Sequence, residues 1–172
     1  IFTSVSCRGI LVEKGGDFMD RCAHICTNGH VLITRAPIDG KEFCEKCGAE
    51  MIDKCPSCGE FIRTWSYGGA VLGNPKYERA AFCKNCGSPY PWTKSAMDAV
   101  AELLEEEEQL DDLQRSKLTA SLSDIVSETP KTQVAVVRFK KALLSVGQFT
   151  AEGLRQFAID FGCELAKSQL GL

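Results

Sequence analysis

Histidine is scarce in this chain, with two in 172 residues, and no H-E-x-x-H, H-x-E or P-loop pattern occurs. A catalytic metal site keeps one coordination position open and usually draws on histidine or carboxylate ligands beside an acid–base group. A chain this poor in histidine is therefore read as non-enzymatic. Long apolar runs are also missing: none approaches the roughly 20 residues that a bilayer span needs, so no membrane partner is expected. No stretch combines the basic start, apolar run and small-residue cleavage site of a secretory signal, and the expected location is the cytoplasm. Excess cationic charge is absent too, the formal net charge being −3. Beyond the cysteine motifs there is no internal repeat, and only Glu105 to Glu108 is low in complexity.

Cysteine is what the chain has in abundance. Nine of its ten cysteines precede residue 87. Three C-x-x-C pairs stand out, Cys44/Cys47, Cys55/Cys58 and Cys83/Cys86, and Cys26-x-x-x-His30 makes an imperfect fourth. An extracellular disulfide framework is the competing explanation for such a count, but close pairs favour shared metal ligation over separate long-range bridges.

Two cysteines separated by two residues can turn inward from one tight turn and supply half of a tetrahedral shell, the arrangement zinc prefers. Gly48, Gly59 and Gly87 each follow a second cysteine, where the turn calls for positive φ, and Pro56 fixes φ inside its own turn. Eight donors complete two shells with none to spare. Sequential pairing gives Cys26, His30, Cys44, Cys47 for one ion and Cys55, Cys58, Cys83, Cys86 for the other. The cross-braced alternative joins the first motif to the third. Only seven residues lie between Cys47 and Cys55, which favours the sequential scheme. Two zinc ions are expected, with iron in the Cys-four site as a minor alternative. Cys22 and His24 alternate with Cys26 on a predicted strand but are read as ordinary strand residues, and Cys163 as a small core residue of the last helix.

Phe43-Cys44-Glu45-Lys46-Cys47-Gly48 followed by Cys55-Pro56-Ser57-Cys58-Gly59 resembles a double zinc ribbon. With Cys26-x-Asn28-Gly29-His30, Phe82-Cys83-x-x-Cys86-Gly87-x-Pro89-Tyr90-Pro91-Trp92-Thr93, Thr129-Pro130-x-Thr132 and Arg138-Phe139-Lys140-Lys141, the chain is similar to a bacterial family defined as a domain of unknown function. The resemblance covers residues 25–146 and brings no activity with it.

Charge divides the sequence. Residues 19–92 hold nine Lys/Arg against eight Asp/Glu, residues 93–130 three against ten, and residues 131–172 six against three. The expected fold is a small metal-stabilised β region of tandem zinc ribbons over residues 19–92. An all-α region of about four helices follows over residues 93–172. Residues 1–18 are read either as a translated leader ahead of a start at Met19, since codons for Gly15-Gly16-Asp17 can spell a ribosome-binding sequence, or as an N-terminal strand through Ile10-Leu11-Val12.

Thr93 is the predicted N-cap of the first helix, with Trp92 packing on Met97 as a hydrophobic staple, and that helix runs to Leu110. The second uses Leu113, Leu118, Leu122, Ile125 and Val126 and stops before Pro130. The third uses Val134, Val137, Ala142, Leu143 and Leu144. In the fourth, Leu154, Phe157, Ala158, Phe161 and Leu165 form one stripe, and Ile159, Cys163, Ala166 and Leu170 a weaker second one. Such stripes point to a helical hairpin or a dimer core. The glutamate run is read as a solvated face.

Between Cys58 and Cys83, residues 59–82 form a long loop with Arg63, Trp65, Tyr67, Lys76, Tyr77 and Arg79. Exposed aromatics beside basic residues can stack on single-stranded bases, and the same apolar residues can equally fill the ribbon core. Against nucleic acid, a zinc-loaded Cys-three-His site carries about −1 and a Cys-four site about −2, whereas phosphate binding needs clustered cations. The leading expectation is thus a protein-interaction adaptor or assembly subunit, its partner another protein or a second copy held through the C-terminal helices. Nucleic-acid binding through the 59–82 loop comes second.

Overall fold

In the computed structural model, residues 22–34, 38, 40–62 and 77–172 are described. Residues 1–18 and most of the 59–82 loop, including Arg63, Trp65, Tyr67 and Lys76, lie outside them, and so do the leader, the N-terminal strand and the loop's stacking surface expected there. The chain divides into two compact units, with the boundary between Thr93 and Lys94. A three-stranded antiparallel sheet comes first, followed by helices, so the expected β-then-α order holds.

The sheet runs β2-β1-β3, with β1 at Cys22–Cys26, β2 at Val31–Thr34 and β3 at Met51–Ile52. Ala23 pairs with Ile33 and Ile25 with Val31 across one edge of β1, and Cys26 pairs with Met51 across the other. Around this sheet one small hairpin recurs three times. Phe43 bridges Glu50, Lys54 bridges Phe61, and Phe82 bridges Pro89. In each, the first cysteine's amide donates to the carbonyl five residues on, at 2.8–2.9 Å (Cys44 to Ala49, Cys55 to Glu60, Cys83 to Ser88). Each hairpin then delivers one buried apolar side chain at the same place: Met51, Ile62 and Tyr90. Among the described residues the unit's core is small, with Ala23, Ile25 and Trp92 beside these three, and the cysteines form part of it. Cys26, Cys44 and Met51 make one buried cluster, with Ile38 and Ala49 packed against it.

The helical half has six segments where about four were expected: α1 Pro91–Glu105, α2 Asp112–Thr119, α3 Leu122–Val126, α4 Thr132–Ser145, α5 Gln148–Phe161 and α6 Glu164–Leu170. Two unforeseen breaks account for the difference. Ser121 turns its hydroxyl back onto the Lys117 carbonyl at 2.7 Å and separates α2 from α3, the local competition with the helix ladder expected of serine. Gly162 separates α5 from α6. A Cβ there would lie 2.4 Å from the carbonyl oxygen of Ala158, so no larger residue fits without a shift. Cys163 is accordingly the N-cap residue of α6 rather than a residue within the last helix, and its amide donates to the Ile125 carbonyl at 2.9 Å.

Helix α4 is the hub, packing against α2, α3, α5 and α6. It buries Thr132, Ala135, Val136, Phe139 and Ala142, while Val134, Val137 and Leu144 are exposed. The expected face holds only in part: Ala142 is buried as expected, but Val134, Val137 and Leu144 face solvent, and Phe139 with Ala135 and Val136 fills the buried side instead. On α5 the expected stripe is buried at Leu154, Phe157 and Ala158, all within the unit's own core.

The first helix is also capped differently from the expectation. Pro91 occupies the first helical position, where its missing N–H costs nothing. Thr93 lies inside the helix, so the staple geometry does not apply, and its hydroxyl donates to the Ala81 carbonyl at 2.9 Å.

The acidic run holds a further correction. Glu107 is buried, not solvated. Its carboxylate accepts from the Gly147 amide at 3.1 Å and the Gln109 amide at 3.2 Å, and the Thr150 side chain bonds to it as well. Gly147 is the N-cap position of α5, so Glu107 places a negative charge where the helix dipole and free amides favour one. The Thr150 hydrogen bond above all holds its pKa below the ordinary carboxylate value. A lowered folded pKa gives stability that is fully present above the unfolded value of about 4.3 and is lost as pH falls through the folded one. Glu107→Gln is expected to lower the melting temperature of the helical unit at pH 7, with the gap to wild type closing as pH falls below 4. A gap of the same size at pH 3 and pH 7 would refute this assignment.

Candidate metal centres

Each hairpin presents its cysteines through the same turn. The amides of Gly48, Gly59 and Gly87 donate to the carbonyls of Cys44, Cys55 and Cys83 at 2.7–2.9 Å. The three glycines have φ of 68°, 72° and 71°, values an L side chain seldom takes. The first cysteine of each pair is buried and the second exposed, so each turn pushes one sulfur into the core and holds the other at the surface.

The eight predicted ligands gather into two groups. Cys26, His30, Cys44 and Cys47 form one and Cys55, Cys58, Cys83 and Cys86 the other, with donor atoms all within 4.8 Å of one another in each. The grouping is sequential, not cross-braced. In the first group Cys26 Sγ lies 3.8 Å from Cys47 Sγ and 3.6 Å from His30 Nδ1, and Cys44 Sγ lies 3.5 Å from the same nitrogen. In the second, Cys55 and Cys86 stand 3.8 Å apart and Cys58 and Cys83 3.7 Å. These gaps are far beyond an S–S bond of about 2.05 Å, and all eight thiol and imidazole donors remain available. They match the edges of a tetrahedron around an ion of zinc's size. Bond lengths of about 2.3 Å to sulfur and about 2.05 Å to nitrogen put two sulfurs about 3.8 Å apart and sulfur and nitrogen about 3.6 Å apart.

Hydrogen bonds aim the donors. The His30 amide donates to Cys26 Sγ at 3.2 Å and the Asn85 amide to Cys83 Sγ at 3.5 Å. The carboxamides of Asn28 and Asn85 each reach an exposed sulfur, Cys47 and Cys58, at 3.6 Å. Asn28 stood in the sequence motif without a role and Asn85 was not singled out; the signal for both is a turn position within a knuckle. The thiols differ in readiness to ionise. The Ala49 amide brings Cys47 down to about 6, and the Cys86 amide brings Cys83 to about 6, while burial pushes Cys55 up to about 11 and raises Cys26. Each shell therefore pairs a thiol that ionises readily with a buried one that a cation must hold deprotonated.

His24 and Cys163 join neither group. His24 is buried, and its Nδ1 lies 3.7 Å from a Glu42 carboxylate oxygen. Tyr90 stacks on Trp92, with ring centroids 4.6 Å apart, and Trp92 Nε1 donates to the Ala80 carbonyl at 3.0 Å. Arg79 donates to the Gly29 carbonyl at 3.3 Å, inside the turn that carries His30. This basic residue of the 59–82 loop thus serves the ribbon itself, tying the second ribbon to the first site.

Over residues 19–170 the sequence matches the family model described as "Uncharacterized protein conserved in bacteria (DUF2321)". The chain belongs to DUF2321. The match extends past the 25–146 span of the sequence resemblance and takes in both ligand groups and nearly all of the helical half. No curated protein and no solved structure matches the chain.

Gly29 tests the tie between the ribbons of this DUF2321 chain. Its φ is 88°, and a Cβ would lie 3.1 Å from Trp92 Cβ and 3.2 Å from Arg79 Nε. Gly29→Ala is expected to cost the ribbon unit about 1–3 kcal/mol from backbone strain alone and to weaken metal retention in the first site before the second. Chelator competition monitored by native mass spectrometry reads the order of loss; loss from the Cys-four site first would contradict the proposed tie.

Proposed function

We propose that this DUF2321 chain is a non-catalytic zinc-binding protein with two structural ions, and that it works as a protein-interaction adaptor or assembly subunit. The observation that carries the zinc reading is closure. Each group offers four protein donors at tetrahedral spacing, leaving no position for a water or a substrate. Zinc suits both shells, and the all-thiolate shell is the one where iron is the minor alternative. Unbridged thiols at this density suit a reducing compartment, which the cytoplasm provides. No described helix is long and apolar enough to cross a membrane.

Support for the adaptor reading comes from surface chemistry. Val134, Val137 and Leu144 share one exposed face of α4, and Leu144 and Phe149 are 89% and 82% exposed. Apolar residues that open to water mark contact surfaces when they cluster. We place the docking surface on this face of α4, because the Leu154–Phe157 stripe fills the unit's own core. Nucleic-acid binding ranks second because of charge: the described acidic and basic residues of the ribbons nearly balance before the ions add their negative shells.

Native mass spectrometry of the purified chain is expected to find two zinc ions per molecule, and a colourless solution. A rust-red solution would assign iron to the Cys-four site, and a chain that melts unchanged after exhaustive metal removal would overturn structural binding. For the role, Leu144→Asp is expected to abolish capture of the partner from host extract, with capture by wild type changing little between low and high salt. Micromolar oligonucleotide binding that falls steeply with salt would reverse the ranking.

A further inference from the structure

The helical unit contains a cleft of about 350 Å³ between α2 and α4, separate from both metal groups. Lys117, Arg138 and Lys141 line it, over a floor of Leu110, Leu118 and Ala142. Gln114 and Ser145 add polar groups at the sides, and no carboxylate is among the lining residues. In a chain with net charge −3 this is an unusual concentration. It arises because α4 contributes Arg138 and Lys141 and carries no acid, α2 contributes Lys117, and no Asp or Glu occurs between Glu128 and Glu152. The acids that open α2 make local contacts at its N-terminus. Asp111 accepts from the Gln114 amide at 2.7 Å, and Asp112 pairs with Arg115 at 2.8 Å.

One of the three cations is held in place. Arg138 Nη1 donates to Ser121 Oγ at 2.8 Å, and Ser121 is 1% exposed. The same nitrogen reaches the Lys117 carbonyl at 3.5 Å. That leaves the other N–H groups of the guanidinium fork, whose planar geometry matches a phosphate. A guanidinium anchored by a buried hydroxyl, two ammonium groups beside it and an apolar floor make a site with two chemistries, and its volume lies at the lower end of the range for small-molecule sites.

We propose that the α2–α4 cleft binds a small phosphate monoester, with the phosphate among Lys117, Arg138 and Lys141 and an apolar or planar substituent on Leu110, Leu118 and Ala142. Ser121 is a positioning residue for Arg138. The cleft belongs to the helical unit alone, and the proposal does not depend on which metal the ribbons hold.

The test uses the full metal-loaded chain with phenyl phosphate and with inorganic phosphate, read by amide shifts in NMR and by melting temperature. Phenyl phosphate is expected to bind saturably, with shifts centred on α2 and α4, and more tightly than inorganic phosphate. Arg138→Gln and Lys141→Gln should each weaken it at least tenfold, and Ser121→Ala by a smaller factor, while Lys140→Gln, outside the cleft, should leave it unchanged. Lys141 is exposed, so its variant is expected to melt like wild type and to report binding alone. Equal binding by wild type and Lys141→Gln, or no saturable response to either phosphate, would overturn the proposal. A third arm offers phosphatidylcholine vesicles containing phosphatidic acid. Vesicle retention without a response to phenyl phosphate would likewise overturn it, in favour of a lipid surface.

Discussion

Cys83→Ser is expected to remove one metal ion and unfold the ribbon unit while the helices persist. Cys83 is 3% exposed, and its sulfur lies 3.7 Å from that of Cys58, so a serine oxygen there leaves a three-thiolate shell around a poor fourth donor. Structural zinc supplies an apparent binding free energy of about 10–16 kcal/mol in small zinc domains near neutral pH. Among the described residues of the unit, the large apolar side chains buried are Ile25, Met51, Ile62, Tyr90 and Trp92, beside the cysteines, and so small a core does not replace such a loss. Damage should spread to the first site, because Arg79, which binds the Gly29 carbonyl, belongs to the second ribbon. In NMR, amides of residues 23–34, 40–62 and 77–90 should collapse towards random-coil shifts while those of α2 to α6 keep their dispersion. Cys163→Ser is the control: this residue lies outside both groups, and its hydrogen bond to Ile125 is made by the backbone. A Cys83→Ser protein that retains two ions and native ribbon shifts would refute the structural role of the metal.

The metal groups were legible in the sequence because their grammar is local. Two cysteines and a following glycine within five residues describe one turn completely, and the short link from Cys47 to Cys55 already favoured sequential grouping. The helix hub was harder to read. Val134 to Val137 includes three valines and an alanine, so periodicity alone admits more than one buried face, and it is Phe139, 0% exposed, that selects among them. Glu107 was misread for a different reason. Its partner Gly147 lies forty residues away, and four consecutive glutamates give no sign of which one turns inward. The capping box Asp111-x-x-Gln114 was not read from the sequence either, although its spacing fits the motif. The structure has both of its reciprocal bonds, at 2.7 and 3.1 Å, and they start α2 where a continuous helix was not expected.

Arg115 sits one residue beyond that box and carries the second large expected effect. Its Nε donates to the Leu104 carbonyl at 2.8 Å, and Nη2 to those of Glu107 at 2.9 Å and Leu110 at 3.2 Å. One guanidinium thus gathers three carbonyls where α1 ends and the acidic turn begins, a use of its rigid fork that no lysine reproduces. The turn it holds is the one that presents Glu107 to the start of α5. Each hydrogen bond to a charged donor is worth about 1.5–3 kcal/mol, but the three share one side chain. That side chain is 23% exposed, so water recovers part of the loss. Arg115→Ala is therefore expected to destabilise the helical unit by about 2–4 kcal/mol, lowering its melting temperature by roughly 10–20 °C for a unit of this size. Arg115→Lys should recover less than half of that. Asp112→Asn removes only the exposed ion pair with the same arginine and should change stability by under about 1 kcal/mol. Thermal melts of the three variants followed by circular dichroism at pH 7 separate these contributions. If Arg115→Ala melts with wild type, or Asp112→Asn costs as much as it does, the carbonyl cluster is not what fastens the turn.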